Sequence, residues 1–182
     1  KLRCSDELKK FEDILKGNDL RSVGQVDRVV NAIRSQADFD ELYRLLRHTD
    51  RVIVMRAADA IEKCTRKVPS YLVSHSADLI QSSVTANNKE HKWHLAQILT
   101  RLPLSDTDAS AVWNLLYAWA GDKSESRIVR VNALEGLAFL ELKNEVWRKQ
   151  FQSLTEAIER ENVPSLLAKI RQLKKRHGIS TG

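Results

Sequence analysis

Apolar residues recur three and four apart along almost the whole chain, the spacing that buries one stripe of an α-helix. Leu8, Phe11, Ile14 and Leu15 open the pattern, and Val26, Val29, Val30 and Ile33 follow after the turn signal Gly17-Asn18-Asp19. Phe39, Leu42, Leu45 and Leu46 form a third stripe, and Val112, Leu115, Leu116 and Trp119 another. Read this way, the sequence predicts about ten helices in five pairs. The first pair runs over about 5–16 and 22–35. The second opens at Asp38, turns at His48-Thr49-Asp50 and continues over about 51–66. The third covers about 71–84 and 89–101, the fourth starts at Ser105 and closes with about 124–142, and the fifth covers about 144–160 and 164–177. Helix starts are marked by Asp38-Phe39-Asp40-Glu41, with the spacing of a capping box, by Ser105-Asp106-Thr107-Asp108, and by Pro164 in a first turn.

A frame of 38 residues recurs in the middle of this pattern. Ala57-Ala58-Asp59-Ala60-Ile61 is echoed by Leu95-Ala96-Gln97-Ile98-Leu99 and by Ala133-Leu134-Glu135-Gly136-Leu137. Just upstream, Asp50-Arg51, Asn88-Lys89 and Ser126-Arg127 fall at the same interval. One helix pair per period is the mark of an α-solenoid. The first unit is offset, since Val29-Val30-Asn31-Ala32-Ile33 precedes its counterpart by only 28 residues. The second helices are rich in Ala and Gly, which lets neighbouring backbones approach. The expected organisation is one domain over 1–182, with units at about 5–36, 38–67, 70–102, 105–142 and 144–178.

Composition narrows the class. A hydrophobic share of 42% with 30% charged residues fits a globular chain rather than a disordered one. Only 6 Gly and 3 Pro speak against a β-sandwich or βαβ fold, which spends more of both on turns. No run approaches the roughly 18 apolar residues a membrane span needs. Cys4 and Cys64 follow no metal spacing and make no disulfide framework, so a cytoplasmic or other reducing compartment is expected. The formal charge of +6 makes an acidic partner plausible.

The stretch Val129-Arg130-Val131-Asn132-Ala133-Leu134-Glu135-Gly136-Leu137 follows the pattern Val-Arg-x-x-Ala-x-x-Ala/Gly-Leu. On it the chain resembles the HEAT-repeat (armadillo/HEAT-like) family. The second unit departs from the pattern, with Val54 in place of the Arg and Arg56 two residues later; the third has Lys92 there. The resemblance implies an all-α, right-handed α-solenoid superhelix of about five antiparallel helix pairs. It further implies a non-catalytic binding scaffold or adaptor, recognising a protein partner on a concave surface lined by the second helices. The alternative is a nucleic-acid-binding HEAT-like protein related to alkylated-base DNA glycosylases. Those combine Trp, Asp and Arg on a concave basic groove, and no motif here carries their positions across.

Laying the units over one another puts Arg51, Lys89 and Arg127 at one place, directly after cap residues Asp50, Asn88 and Ser126. Stacked units would line these cations up at intervals of roughly 10 Å. Arg28, Arg56 and His94 make a weaker second row that ends at Asn132. The candidate partner-binding residues are therefore Arg51, Lys89, Arg127, Arg56, His94 and Arg130. Two uses stay open: an anion-tracking stripe, or an inter-repeat ladder pairing with Asp59, Asp50 or Glu90. Trp113, one residue off the Val112 stripe, and Trp147 are candidate outward aromatic contacts. The last basic run, Lys169 to His177, reads as an amphipathic end helix. His91 and His94 are a histidine pair at helical spacing, with Glu90 four before His94, but no third ligand stands at a diagnostic spacing, so no metal is expected. No cofactor is expected either, nor a catalytic motif. A monomer is the expected state.

Overall fold

In the computed structural model, which describes residues 11–16, 23–86 and 88–176, every regular element is helical. The helices form two compact units that divide between His75 and Ser76.

The first unit holds α1 (11–15), α2 (Val23–Ala32), α3 (Gln36–Arg44) and α4 (Arg51–Lys67), with 3-10 turns at Leu45–Arg47 and Pro69–His75. α4 packs on α2 and α3. Phe11, Leu15, Val29, Phe39, Leu42, Ile53 and Ile61 fill the space between them. α3 begins earlier than its expected start at Asp38. Ser35 is the cap: its hydroxyl accepts from the Asp38 amide at 3.2 Å, and Asp38 Oδ2 accepts from the Ser35 amide at 3.0 Å. The box is thus Ser-x-x-Asp, with Asp38 at its far end rather than at the cap.

The helix expected over 71–84 splits in two. Tyr71 stacks on Phe39 with ring centroids 5.1 Å apart, and His75 stacks on Tyr43 at 3.8 Å. His75 Nε2 also meets Asp40 Oδ1 at 2.7 Å. These contacts hold Pro69–His75 against α3 as a 3-10 segment, and regular helix starts only at Ser76.

The second unit holds α5 (Ser76–Val84), α6 (Lys89–Ile98), α7 (Asp106–Gly121), α8 (Arg127–Leu140), α9 (Glu145–Glu159) and α10 (Pro164–Arg176). Short 3-10 turns follow α6 (Leu99–Arg101) and α8 (Glu141–Lys143). α8 packs against α6 on one side and α10 on the other, with α7 behind it. Ser105, Ser126 and Asn144 cap α7, α8 and α9 through their side-chain oxygens, as Asp50 caps α4. Gly136 lies at a close approach of α8 to α7 and α6. A Cβ there would lie 2.7 Å from Leu116 Cδ1 and 3.3 Å from the Ala96 carbonyl oxygen of α6. α8 starts three residues later than expected, because Asp122 Oδ1 accepts from the Ser124 amide at 2.8 Å and turns the chain there. In the turn before α10, Asn162 takes a left-handed φ of 54°, a conformation Asn tolerates better than most residues. The turn at 17–19 and the ends of the first and last expected helices lie outside the described residues.

Candidate interaction surface

A cation on a helix start and a cation inside the helix meet different needs, and the six candidate cations separate on that basis. Arg51, Lys89 and Arg127 are the first residues of α4, α6 and α8, and all three are exposed. Asp50 and Ser126 cap the Val52 and Val129 amides, and Asn88 accepts from the His91 amide at 3.3 Å. Each of these cations therefore directly follows its own helix cap. Lys89 and Arg127 sit on neighbouring helices of the second unit.

Arg56, His94 and Arg130 are buried. Arg56 Nη1 donates to the Leu15 carbonyl at 2.6 Å and to that of Lys16 at 3.1 Å. Carbonyls at the end of a helix lack partners within it, and a guanidinium satisfies both their hydrogen-bonding and the negative end of the dipole. Arg130 serves α7 in the same way, its Nε donating to the Ala120 carbonyl at 2.8 Å. Its two terminal nitrogens donate to the two Glu161 carboxylate oxygens, end-on, at 2.8 and 2.9 Å. These bonds from Arg130 hold the Glu161 carboxyl below the usual carboxylate range. His94 packs beside Trp93, ring centroids 4.8 Å apart. All three side chains are turned into the protein rather than toward solvent.

Lys92 stands where Arg130 stands one period later, and it pairs with Glu125 while lying 5.7 Å over the Trp119 ring. Glu125 and Glu161 occupy the corresponding turns, before α8 and before α10. Two rungs of the same kind thus link a second helix to the turn of the next pair. The acids of these rungs are Glu125 and Glu161 rather than Asp59 or Asp50, and the Glu90 side chain lies outside what the structure describes. Each sits just outside a helix, where helical spacing gives no hint of it.

The two tryptophans read as outward contacts meet each other instead. Trp113 is 2% exposed and Trp147 half-buried, and their rings stack 4.9 Å apart at 4°. The Trp113 indole N–H donates to Gln150 Oε1 at 3.0 Å. The reason is the packing of α7 near α9, which gives the face beside Val112 its own neighbour.

The outward side of the second helices is mixed in charge. In the first unit Lys63 lies 3.0 Å from Asp27 and 3.4 Å from Asp59. In the second, Glu135 accepts from Lys169 at 2.9 Å and from Arg176. Burial pushes the Glu135 carboxyl up, but the bonds from Arg176 and Lys169 outweigh it and hold it below its ordinary value.

One feature of α8 escaped the sequence reading. Ile128, Phe139 and Leu142 are exposed, at 41, 53 and 58%. The signal was present, because α8 is apolar on nearly all sides and only part of its circumference can be covered. Among the described residues, no group of three or more His, Cys, Asp or Glu could hold a metal ion, and no helix is long and apolar enough to cross a membrane.

A family model for the HEAT repeat domain matches residues 18–176. No curated protein and no solved structure matches the chain.

Proposed function

The chain belongs to the HEAT-repeat family, and on that premise we propose that it is a non-catalytic scaffold or adaptor recognising an acidic protein partner through the outward face of its second helices. The observation that carries this reading is where the charges go. Arg56 and Arg130 are spent on helix ends, and Lys92 and Arg130 on rungs. On the second helices of the first unit Asp27 and Asp59 stand beside Lys63, and on those of the second unit Glu135 stands beside Lys169. A surface that tracks phosphates keeps its cations clear of carboxylates, because each neutralised phosphate contributes through released counterions. The glycosylase alternative also needs an open Trp beside Asp and Arg, whereas Trp113 is buried under Trp147. Arg51, Lys89 and Arg127 remain exposed and would steer an acidic partner rather than bind it tightly. A reducing compartment such as the cytoplasm suits Cys64, a free thiol that burial pushes up to about 11.

The test is a salt titration of binding to duplex and single-stranded DNA. Affinity no better than the non-specific range of roughly 10⁻⁴–10⁻⁶ M at physiological salt is expected. Much tighter binding with a steep log–log salt slope would overturn the scaffold reading in favour of nucleic acid. Release of an alkylated base from that DNA would do so as well.

A further inference from the structure

Resting on the scaffold reading, we propose that α8 carries the partner's docking stripe and that the occupant is an acidic amphipathic helix. Ile128, Asn132, Glu135, Phe139 and Leu142 follow one another at intervals of four, three, four and three residues, so they share one side of the helix and its 3-10 extension. Val129, Ala133, Leu134, Gly136, Leu137, Ala138 and Leu140, on other sides of α8, are all buried, while Arg127 is exposed at its start. Three of the stripe's five side chains are large, apolar and exposed. Exposed apolar side chains scattered singly are ordinary, but a set aligned on one helix face is the form a docking surface takes.

The charges around the stripe select the occupant. Lys143 lies 6.0 Å from the Phe139 ring centroid. Lys169 and Arg176 reach across from α10 to Glu135, the stripe's one carboxylate, and leave it compensated. α10 carries Lys169, Arg171, Lys174, Lys175 and Arg176 and no carboxylate of its own. The cations placed at the stripe are therefore Lys143, Lys169 and Arg176, against the single carboxylate of Glu135. A basic rim around an apolar stripe fits a helix with Leu- or Phe-type anchors on one side and Glu or Asp beside them. Phosphates alone would gain nothing from Phe139 and Leu142, and a basic helix would be repelled by the rim. A second copy of the chain would have to bring carboxylates to α10, and α8 and α10 offer it only Glu135.

The experiment uses the whole chain against a displayed library of 20-residue peptides, followed by fluorescence anisotropy with the enriched sequences. Enriched peptides are expected to be acidic, with apolar residues at helical intervals. Their affinity is expected to fall at least tenfold in Phe139→Ala and in Leu142→Ala, and to stay unchanged in Val84→Ala, an exposed apolar control on α5. Enrichment of neutral or basic peptides, no enrichment, or affinity indifferent to Phe139→Ala and Leu142→Ala would each overturn the proposal. So would a concentration-dependent dimer in sedimentation that Phe139→Ala abolishes, since it would assign the stripe to a second copy. These results leave the broader scaffold reading standing so long as DNA binding stays weak and shallow in salt. Tight, salt-steep DNA binding lost in Phe139→Ala would sink both.

Discussion

Arg130 binds three acceptors at once, the Ala120 carbonyl and both oxygens of Glu161, with almost no exposure to water. Removing such a buried charge leaves its partners desolvated, which typically costs 3–5 kcal/mol. Arg130→Met keeps much of the stem's packing, so a loss of about 3 kcal/mol at neutral pH is expected from urea unfolding. The pH dependence carries a sign. The Glu161 carboxyl is depressed in the folded chain by its bonds to Arg130. Its contribution is therefore complete above the unfolded carboxylate pKa of about 4.3, and is lost as pH falls through the lower folded value. The gap between the native chain and Arg130→Met should narrow below about pH 4, without closing, because the bond to Ala120 persists. A gap that stays constant from pH 7 to 3 would show that Glu161 contributes nothing through its charge. Arg130 was legible in the sequence as a conspicuous cation, but its role was not. The Ala120 carbonyl it serves is a backbone atom, and backbone acceptors carry no mark in a sequence.

Helices are the scale at which the sequence spoke most clearly. The apolar spacing located α2 to α10, and Ser105, Asp50 and Asn88 each bond to an amide at the start of the helix expected after it, as Ser126 does for α8, whose start was expected slightly earlier. Errors fell where a side-chain bond competes with the periodicity. Asp38 reads as a cap until Ser35 is seen to share its bonds, and Asp122 delays α8 by making its own turn. Gly136 tests the helix contact that the small residues imply. Its absent Cβ would meet Leu116 Cδ1, which can swing aside, and the Ala96 carbonyl oxygen, which is fixed in α6. Gly136→Val should cost about 2 kcal/mol through overpacking, read as a lower thermal midpoint. Gly136→Ala should cost less, because Ala recovers about 1 kcal/mol of helix propensity. An unchanged midpoint in Gly136→Val would mean that α6 and α8 can separate freely, contrary to the packing described.

At the scale of the whole chain, the 38-residue period was visible because stacked pairs repeat their backbone environment. The division between His75 and Ser76 was not. It depends on Tyr71 and His75 returning to Phe39 and Tyr43, more than thirty residues back, where no local rule connects them. Charge behaves in the same way. The net +6 is a property of the sequence, but which cations are left to act outward depends on the carboxylates that the fold brings to the others. Lys89 and Arg127 stand exposed at the starts of α6 and α8, while Phe139 and Leu142 form the apolar part of the α8 stripe. Exposed charges act over about 8 Å at physiological salt and mainly guide encounter, whereas apolar anchors govern how long a complex lasts. With an enriched acidic peptide, Lys89→Glu and Arg127→Glu should therefore lower the association rate severalfold and flatten its salt dependence, leaving dissociation nearly unchanged. Phe139→Ala should do the reverse, raising the dissociation rate at least tenfold with little effect on association. Stopped-flow measurement of both rates separates the two roles. Equal changes in dissociation across all three variants would mean that the helix starts are part of the docking site rather than its approach.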